Sequence, residues 1–257
     1  MNKLSAVIIT RNEEENLPRC LDSVKFADEI VVVDSGSTDR TLDIAREFGA
    51  TVCETEWRGF GFSKRDGVAK ATGDWVLSID ADEEVSAELA EEIQAVVRDS
   101  HSVAGFHIPR RTEFLGRWIM HSGWYPDPVL RLFRKECGNF DEALVPEKVI
   151  LEGETGLLKN DLLHYSYPSL EDYFRKFNRY TSLAAREAHQ NGRKVGVRYV
   201  LVNPLVKFVK QYVVKGGFLD GLEGLILAIL SACYVMVKYA KIRDLVRREN
   251  TGKALPG

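Results

Sequence analysis

Four carboxylates follow a short apolar run in the N-terminal half of the chain. Residues 75–79 have the composition of a buried strand, and Asp80, Asp82, Glu83 and Glu84 come directly after it. In an extended chain, the side chains of Asp80 and Asp82 point to the same side and can share a hard divalent cation such as Mg²⁺ or Mn²⁺. A cation bound by so few ligands keeps open positions for the oxygens of a diphosphate. The alternative is structural, because acids are also favoured in the first turn of a helix.

Size, charge and cysteine content narrow the class of protein. The chain has 257 residues, enough for one large domain or a domain with an appendage. Its formal net charge is −3 and its pI is about 6.0, which gives no indication of a nucleic-acid partner. The four cysteines lack the paired spacing of a zinc site. There is no signal-peptide pattern and no stretch of about 18 uninterrupted apolar residues, so we expect a cytoplasmic protein.

Strands and helices are expected to alternate through the N-terminal part of the chain. Apolar, β-branched runs followed by amphipathic segments predict strands at residues 4–10, 29–34, 51–54 and 75–79. This alternation is typical of an α/β fold in which helices cover both faces of a mostly parallel, Rossmann-like sheet. Polar clusters at residues 10–15, 34–39 and 80–84 fall at the carboxyl ends of these strands, where such folds bind ligands. No Gly-rich dinucleotide or Walker-type loop accompanies them.

Short polar side chains mark the expected helix starts. Thr38 or Asp39 can cap the second helix, and Ser86 can cap the fourth. The segment that begins at Ser63 resembles a capping box that opens the third helix.

The pattern changes after about residue 103. Strands are expected at residues 103–109 and 129–133, on either side of an aromatic, turn-rich stretch, and a helix at residues 170–190. We expect this region to form the second half of a catalytic cleft. Trp118, Trp124 and Tyr125 could stack on sugars or pack a core, and packing is the commoner role of such residues.

Three motifs in the first half resemble those of a known enzyme family. Residues 7–13 (VIITRNE), 32–39 (VVDSGSTD) and 79–83 (IDADE) are similar, in this order and spacing, to family 2 glycosyltransferases of the GT-A fold. Later segments resemble the branch of that family that contains lipopolysaccharide-core β-glucosyltransferases of the WaaE type; they are residues 123–127 (GWYPD), 130–134 (LRLFR) and 218–221 (FLDG).

The resemblance implies a nucleotide-sugar donor, a divalent metal (Mg²⁺ or Mn²⁺) and inversion at the anomeric carbon. It places the base and ribose against Thr10, Glu13 and Asp34, and it places Lys64 and Arg65 near the uracil or phosphate. Asp82, helped by Asp80, is expected to bind the metal that neutralises the leaving diphosphate. One departure concerns the base contact, because many relatives have two adjacent acids where this chain has Asp34-Ser35.

Inversion by single displacement needs a carboxylate that takes the proton of the acceptor hydroxyl. Two candidates stand in the second half, Glu147 and Asp127. Relatives often have His-Glu at the position of Glu147, where this chain has Pro146 before the acid. Glu147 could instead form a surface ion pair with Lys148 or Arg131.

The resemblance divides the chain by function. Residues 1–102 are expected to form the nucleotide-sugar-binding half and residues 103–195 the acceptor-binding half of one GT-A domain. The leading hypothesis is transfer of a hexose, from UDP-glucose or a similar donor, to a lipid-linked saccharide such as lipopolysaccharide core. A nucleotide-sugar pyrophosphorylase is the alternative enzyme, although the acids at residues 13–15 would repel a triphosphate. A non-catalytic sugar- or metal-binding module is the third possibility.

The remaining residues, 196–257, are expected to form a helical segment that associates with a membrane. Between residues 198 and 248, nine Lys or Arg stand against three acids, a local excess of +6, and apolar residues fill the gaps. Such basic, apolar helices suit the headgroup region of an anionic membrane, here the cytosolic face of the inner membrane. The apolar run at residues 225–237 is expected to be too short to span a bilayer, and the alternative is a buried helix packed on the sheet.

Overall fold

The computed structural model describes residues 2–99, 103–141, 148–193 and 195–251. The strands are β1 Leu4–Thr10, β2 Glu29–Asp34, β3 Thr51–Glu54, β4 Trp75–Asp80, β5 Glu83–Val85, β6 Gly105–Phe114, β7 Arg117–Trp118, β8 Asp127–Arg134, β9 Gly138–Phe140, β10 Val149–Leu151, β11 Thr155–Leu157 and β12 Leu162–Tyr167. The helices are α1 Leu17–Ser23, α2 Thr41–Glu47, α3 Phe60–Lys70, α4 Ala87–Arg98, α5 Leu170–Gln190, α6 Val197–Val209 and α7 Gly221–Asn250. A π-helical turn, Lys210–Val214, and a 3₁₀ turn, Gly217–Asp220, connect α6 to α7.

The main sheet has the strand order β3-β2-β1-β4-β8-β6-β12-β5. The first four strands in this order are parallel, as the alternation of strands and helices predicted. Strand β8 then pairs antiparallel with β4 and β6, so the sheet is mixed. The expected strands of the first half are confirmed within a residue, whereas β6 and β8 run beyond the expected limits.

The chain divides into two compact units. One consists of Met1–Arg111 with Pro126–Tyr165 and is called the sheet unit below; the other consists of Thr112–Tyr125 with Ser166–Gly257 and is called the helical unit.

Two apolar clusters on opposite faces of the sheet form the core of the sheet unit. Every residue of β1 is buried, and its side chains alternate between the clusters: Ala6 and Ile8 join one cluster, Val7 and Ile9 the other. Helices α1 and α4 pack in the first cluster, and α3 in the second. Burial of each valine or isoleucine side chain contributes about 1.5–3 kcal/mol.

The helix starts agree only in part with the sequence. Ser86 caps α4 as expected, because its Oγ accepts a hydrogen bond from Leu89 N at 3.2 Å. The N-cap position of α2 is held by Arg40 and not by Thr38 or Asp39, although Asp39 Oδ1 accepts a hydrogen bond from Thr41 N, the first residue of the helix. The capping box at Ser63 is wrong, since α3 begins at Phe60 and the Ser63 hydroxyl lies against Gly59 O and Ser35 Oγ.

Aromatic rings form the core of the helical unit. Phe114 is fully buried, and its ring centroid lies 6.3 Å from that of Trp124, 6.2 Å from Tyr167 and 5.7 Å from Tyr173. Trp124 therefore packs in a core, which is the commoner of the two roles expected from its sequence context.

Buried Asp220 organises the turn at residues 120–122 of the same unit. Its carboxylate accepts from Met120 N at 3.1 Å and His121 N at 3.0 Å, and His121 Nδ1 lies 3.0 Å away. The acid of the 218–221 motif thus has a structural role.

The C-terminal region is helical, as the sequence predicted, and its last helix is longer than the predicted apolar run. The apolar run at residues 225–237 is the middle of α7, which continues for 30 residues. By length and composition, the helical stretch Gly217–Asn250 could cross a membrane, which corrects the expectation that no segment is long enough.

Candidate functional site

Parallel strands β1, β2 and β4 each end in a polar residue, and these residues lie at one edge of the sheet. Thr10 is in register with Asp34 of β2, and Ile9 is in register with Asp80 of β4. Since parallel strands end at the same edge, Asp34 and Asp80, predicted from separate motifs, lie at the ends of the two strands that flank β1.

Asp34 shapes the loop that follows β2. Its Oδ2 accepts hydrogen bonds from Gly36 N at 2.9 Å and Ser37 N at 2.8 Å. Its Oδ1 accepts from the Ser37 hydroxyl and, at 3.1 Å, from Thr10 Oγ1. A carboxylate has about four lone-pair positions, and these four hydrogen bonds use them. Asp34 and Thr10 therefore bond to each other, and Asp34 also holds the loop.

The loops after β1 and β2 are joined by hydrogen bonds. Asn12 Oδ1 accepts from Thr38 N at 2.8 Å, Asp39 Oδ2 accepts from Glu14 N at 3.2 Å, and Glu14 Oε2 accepts from Arg40 N at 3.0 Å. Two of the three sequence motifs therefore form one connected rim. Glu13, half-buried in that rim, accepts from Asn16 Nδ2 at 2.9 Å.

Asp80 lies between two cations. Lys64 Nζ of α3 is 2.9 Å from Asp80 Oδ1, and Arg131 Nη2 of β8 is 2.6 Å from Asp80 Oδ2. Burial would raise the pKa of Asp80, but the positive charges of Arg131 and Lys64 outweigh it and hold the pKa well below its usual range. Asp80 is therefore ionised and already neutralised by protein side chains.

Glu83 completes this buried ion cluster. It is fully buried, and its Oε1 lies 2.7 Å from Arg131 Nη2 and 3.3 Å from Arg110 Nη1. Its other oxygen accepts from Asp80 N at 2.9 Å, which fixes the turn after β4. Arg131 Nε is buried without a hydrogen-bond acceptor among the residues that the structure describes.

Asp82 has a different environment from Asp80. Residues 81–82 form a turn rather than the extended chain assumed from the sequence, and Asp82 Oδ2 lies 3.4 Å from His164 Nε2. Strand β12 supplies this histidine because His164 is in register with Glu83 of β5. Both side chains are mostly buried, at 17% and 14% exposure. Within the described ranges, no group of three His, Cys, Asp or Glu is arranged to hold a metal.

The other predicted residues take varied positions. Asp127, at the start of β8, is 46% exposed and receives hydrogen bonds from Arg110 Nη2 at 2.6 Å and Nε at 3.1 Å. Arg65 is half-buried on α3. Glu147, the other candidate base, lies outside the described residues.

The sequence did not single out Arg110 or His164, and Arg131 entered only through the motif at residues 130–134 and as a partner of Glu147. Each is a charged or titratable residue inside a strand, and Arg131 and His164 also have apolar or aromatic neighbours in the sequence. Such a position is unusual because a buried charge needs a partner. That signal was available in the sequence, but the identity of the partners depends on the pairing of β4, β5, β8 and β12.

Comparisons with known proteins agree with the three motifs. The profile of glycosyl transferase family 2 matches residues 5–149, more than half of the chain. A glycosyltransferase of Rickettsia typhi, itself uncharacterized, is 31% identical, covering 95% of this chain and 88% of the relative. The lipopolysaccharide core biosynthesis glycosyltransferase LpsC of Rhizobium meliloti is 30% identical, covering 98% and 97%.

A solved structure shows a similar fold. The mannosyltransferase PcManGT from Pyrobaculum calidifontis, in complex with GDP-Man and Mn²⁺, superimposes with a TM-score of 0.59 at 17% identity, covering 94% of this chain and 87% of the other. The likeness supports the expected GT-A fold. The chain is a glycosyltransferase and belongs to glycosyltransferase family 2.

Proposed function

We propose that this glycosyltransferase is an inverting, metal-dependent enzyme that moves a hexose from a nucleotide sugar, such as UDP-glucose, to a lipid-linked saccharide such as lipopolysaccharide core. The observation that carries the proposal is the difference between the two acids of Asp80-Ala81-Asp82. Asp80 is neutralised by Lys64 and Arg131, whereas Asp82 lies beside an imidazole. Asp80 is thus engaged by protein cations, and we assign the metal to Asp82 together with His164.

Asp82 and His164 fit a divalent cation by the chemistry of their donor atoms. A carboxylate oxygen suits Mg²⁺ or Mn²⁺, and an imidazole nitrogen favours the transition metal of the two. Two protein ligands would leave positions for phosphate oxygens. When bound, the cation supplies charge neutralisation for the leaving diphosphate.

The donor nucleotide is proposed to lie along the rim formed by the loops after β1 and β2. Glu13 offers a half-buried carboxylate there, and Thr10 and Asp34 hold the loop in place. Asp34 would exchange its bond from the Ser37 hydroxyl for one from the donor. Lys64 and Arg65, both on α3, are proposed to contact the uracil or the phosphates. Lys64 is 1% exposed and paired with Asp80, so it would exchange that pair for the donor.

The acceptor is proposed from the relatives. LpsC, named for lipopolysaccharide core biosynthesis, aligns with almost the whole chain, so an acceptor of that class is the best-supported one. A lipid-linked acceptor also agrees with the basic, apolar C-terminal region, which we propose places the protein on the cytosolic face of the inner membrane.

The base that takes the acceptor proton is proposed to be Glu147 or Asp127. The Arg110 guanidinium fixes the orientation of Asp127, which leaves about half of that side chain exposed. Glu147→Gln and Asp127→Asn distinguish the two, because the true base should lose about 10²–10⁴-fold in kcat while donor affinity is kept. A parallel loss of donor affinity would assign the residue to donor binding instead.

Turnover of labelled nucleotide sugars by the full chain in Mn²⁺ tests the whole proposal. We expect hexose transfer to a lipid A–core acceptor with release of nucleoside diphosphate. Asp82→Ala and His164→Ala should each lose at least about 100-fold, since even indirect partners of metal ligands cost 10–100-fold. Asp22→Ala removes an exposed surface acid and is the matched control. Pyrophosphate exchange would indicate a pyrophosphorylase, and binding without turnover a non-catalytic module.

A further inference from the structure

Helix α6 is apolar, yet none of its residues is buried. The exposed side chains repeat at helical spacing, and the same exposure continues through the turns that follow. We call this set the apolar face: Leu201, Val202, Leu205, Val206, Val209, Val213, Val214, Phe218, Leu219 and Leu222, each at least 41% exposed. Soluble monomers rarely expose contiguous apolar patches of this extent, and such patches mark a docking surface.

Three lysines flank the apolar face. Lys207 and Lys210 are one helical turn apart, and Lys215 N donates to Lys210 O at 2.9 Å across the π-helical turn, which places Lys215 one turn further on. None of the three has a carboxylate within ion-pair distance among the described residues. Burial and the positive charges of Lys215 and Lys210 lower the pKa of Lys207. An anion bound between these three lysines would offset the repulsion among their positive charges.

Helix α7 is long enough to cross a bilayer, but its neighbour α5 argues against a crossing. Phe177 of α5 contacts Tyr234 of α7 at 5.5 Å between ring centroids, and Asn178 Oδ1 of α5 accepts from Lys241 Nζ at 2.8 Å. Leu227 and Tyr173 share one apolar cluster. The charged residues of α5 would enter the hydrocarbon if α7 spanned it; they include Glu171, Asp172, Arg175, Lys176 and Arg179.

We propose that the apolar face inserts into the headgroup region of an anionic bilayer, with Lys207, Lys210 and Lys215 on the lipid phosphates and α7 parallel to the surface. The proposal rests on the proposed function in one respect, namely that a lipid-linked acceptor would lie in the same bilayer. It assigns the membrane contact to particular side chains. Lipid phosphates complement the three lysines, whereas the same basic face on a second copy of the chain would repel them.

Co-sedimentation of the full chain with vesicles tests the assignment. The vesicles contain phosphatidylcholine alone or with phosphatidylglycerol, at low salt. We expect binding to the anionic vesicles only, and loss of binding in Leu205→Glu, at a side chain that is 68% exposed. Leu157→Glu in the sheet unit, 64% exposed, is the matched control and should bind normally. Lys210→Gln and Lys215→Gln should each lower the partition coefficient about fivefold, and arginine should restore it.

Three results would overturn the proposal. Equal binding by Leu205→Glu and Leu157→Glu would remove the apolar face from the contact. A dimer in sedimentation velocity that Leu205→Glu converts to monomers would make the face a protein interface. Resistance of the membrane-bound protein to extraction at alkaline pH would indicate that α7 spans the bilayer. Donor hydrolysis in solution, measured on the same preparations, separates these results from failure of the proposed reaction, because it needs no membrane.

Discussion

At the residue scale, the two aspartates of the 79–83 motif belong to different environments. Asp80 ends β4 and faces the cations of α3 and β8, whereas Asp82 lies in the turn and faces His164 of β12. The sequence motif predicted that the two acids bind one metal together, whereas in the structure each acid contacts different side chains. The buried cation between Asp80 and Glu83 is Arg131, whose pKa those two acids hold above its usual value despite burial.

Removal of Arg131 should strongly destabilise the protein. In Arg131→Met, Asp80 and Glu83 keep Lys64 and Arg110 but lose the buried cation that they share, a loss that costs about 3–5 kcal/mol in comparable buried pairs. Urea denaturation gives the free energy of unfolding. The control is Arg46→Met, where an exposed pair with Glu54 is removed and a change of about 0–1 kcal/mol is expected. Equal effects of the two substitutions would show that the Arg131 cluster contributes no more than a surface pair.

The Asp80 carboxylate should make stability depend on pH in a defined direction. Its pKa in the folded chain lies below the ordinary value of 3.8, so its ionised form stabilises the fold above that pH. That contribution is lost progressively as pH falls below 3.8 towards the folded-state pKa. Asp80→Asn should therefore destabilise the protein more at pH 7 than in acid. A difference between parent and variant that stays constant from neutral pH into strong acid would contradict this.

At the element scale, local sequence patterns predicted the positions of the strands but not which of the later strands pair with one another. The apolar runs of β1, β2 and β4 are contiguous in sequence, so their ends and the acids at 34 and 80 could be placed before the structure. His164 and Arg131 come from strands some 50 to 80 residues later, and only strand register brings them to the acids. The start of α3 was missed because it lacks a capping side chain.

Close packing of α3 on the sheet depends on a glycine. A Cβ on Gly67 would lie 2.4 Å from Val7 Cγ1 and 2.9 Å from Val33 Cγ2. Helix propensity alone favours alanine by about 1 kcal/mol, whereas overpacking costs about 1–3 kcal/mol. We expect Gly67→Ala to lower the free energy of unfolding, because both valines are held in a packed core and have little room to move.

The accompanying variants identify the cause. Val7→Ala in the Gly67→Ala background should recover part of the loss, which a double-mutant cycle measures as coupling. Lys70→Ala, at an exposed position of the same helix, should change stability by less than about 0.5 kcal/mol. A stabilised Gly67→Ala protein would show that helix propensity outweighs the steric conflict with the sheet.

At the scale of the whole molecule, charge is unevenly divided along the chain. Residues 198–248 carry an excess of +6 while the complete chain carries −3, so the remainder carries −9. An anionic membrane surface attracts the C-terminal region and repels the rest of the chain, so contact with the membrane through residues 198–248 is favoured. Net charge alone would have indicated a protein with no affinity for anionic membranes.

Ionic strength should therefore separate catalysis at a membrane from catalysis in solution. The Debye length falls from about 10 Å at 0.1 M salt to about 3 Å at 1 M, so added NaCl weakens attraction between exposed lysines and lipid phosphates. Transfer to an acceptor embedded in anionic vesicles should fall steeply over this range, while donor hydrolysis in solution changes little. Leu205→Glu should show low transfer at every salt concentration, because its apolar contact is lost. A parallel decline of both activities with salt would place the effect on donor binding at the strand ends, where Lys64 and Arg65 lie on α3, and not on the membrane contact.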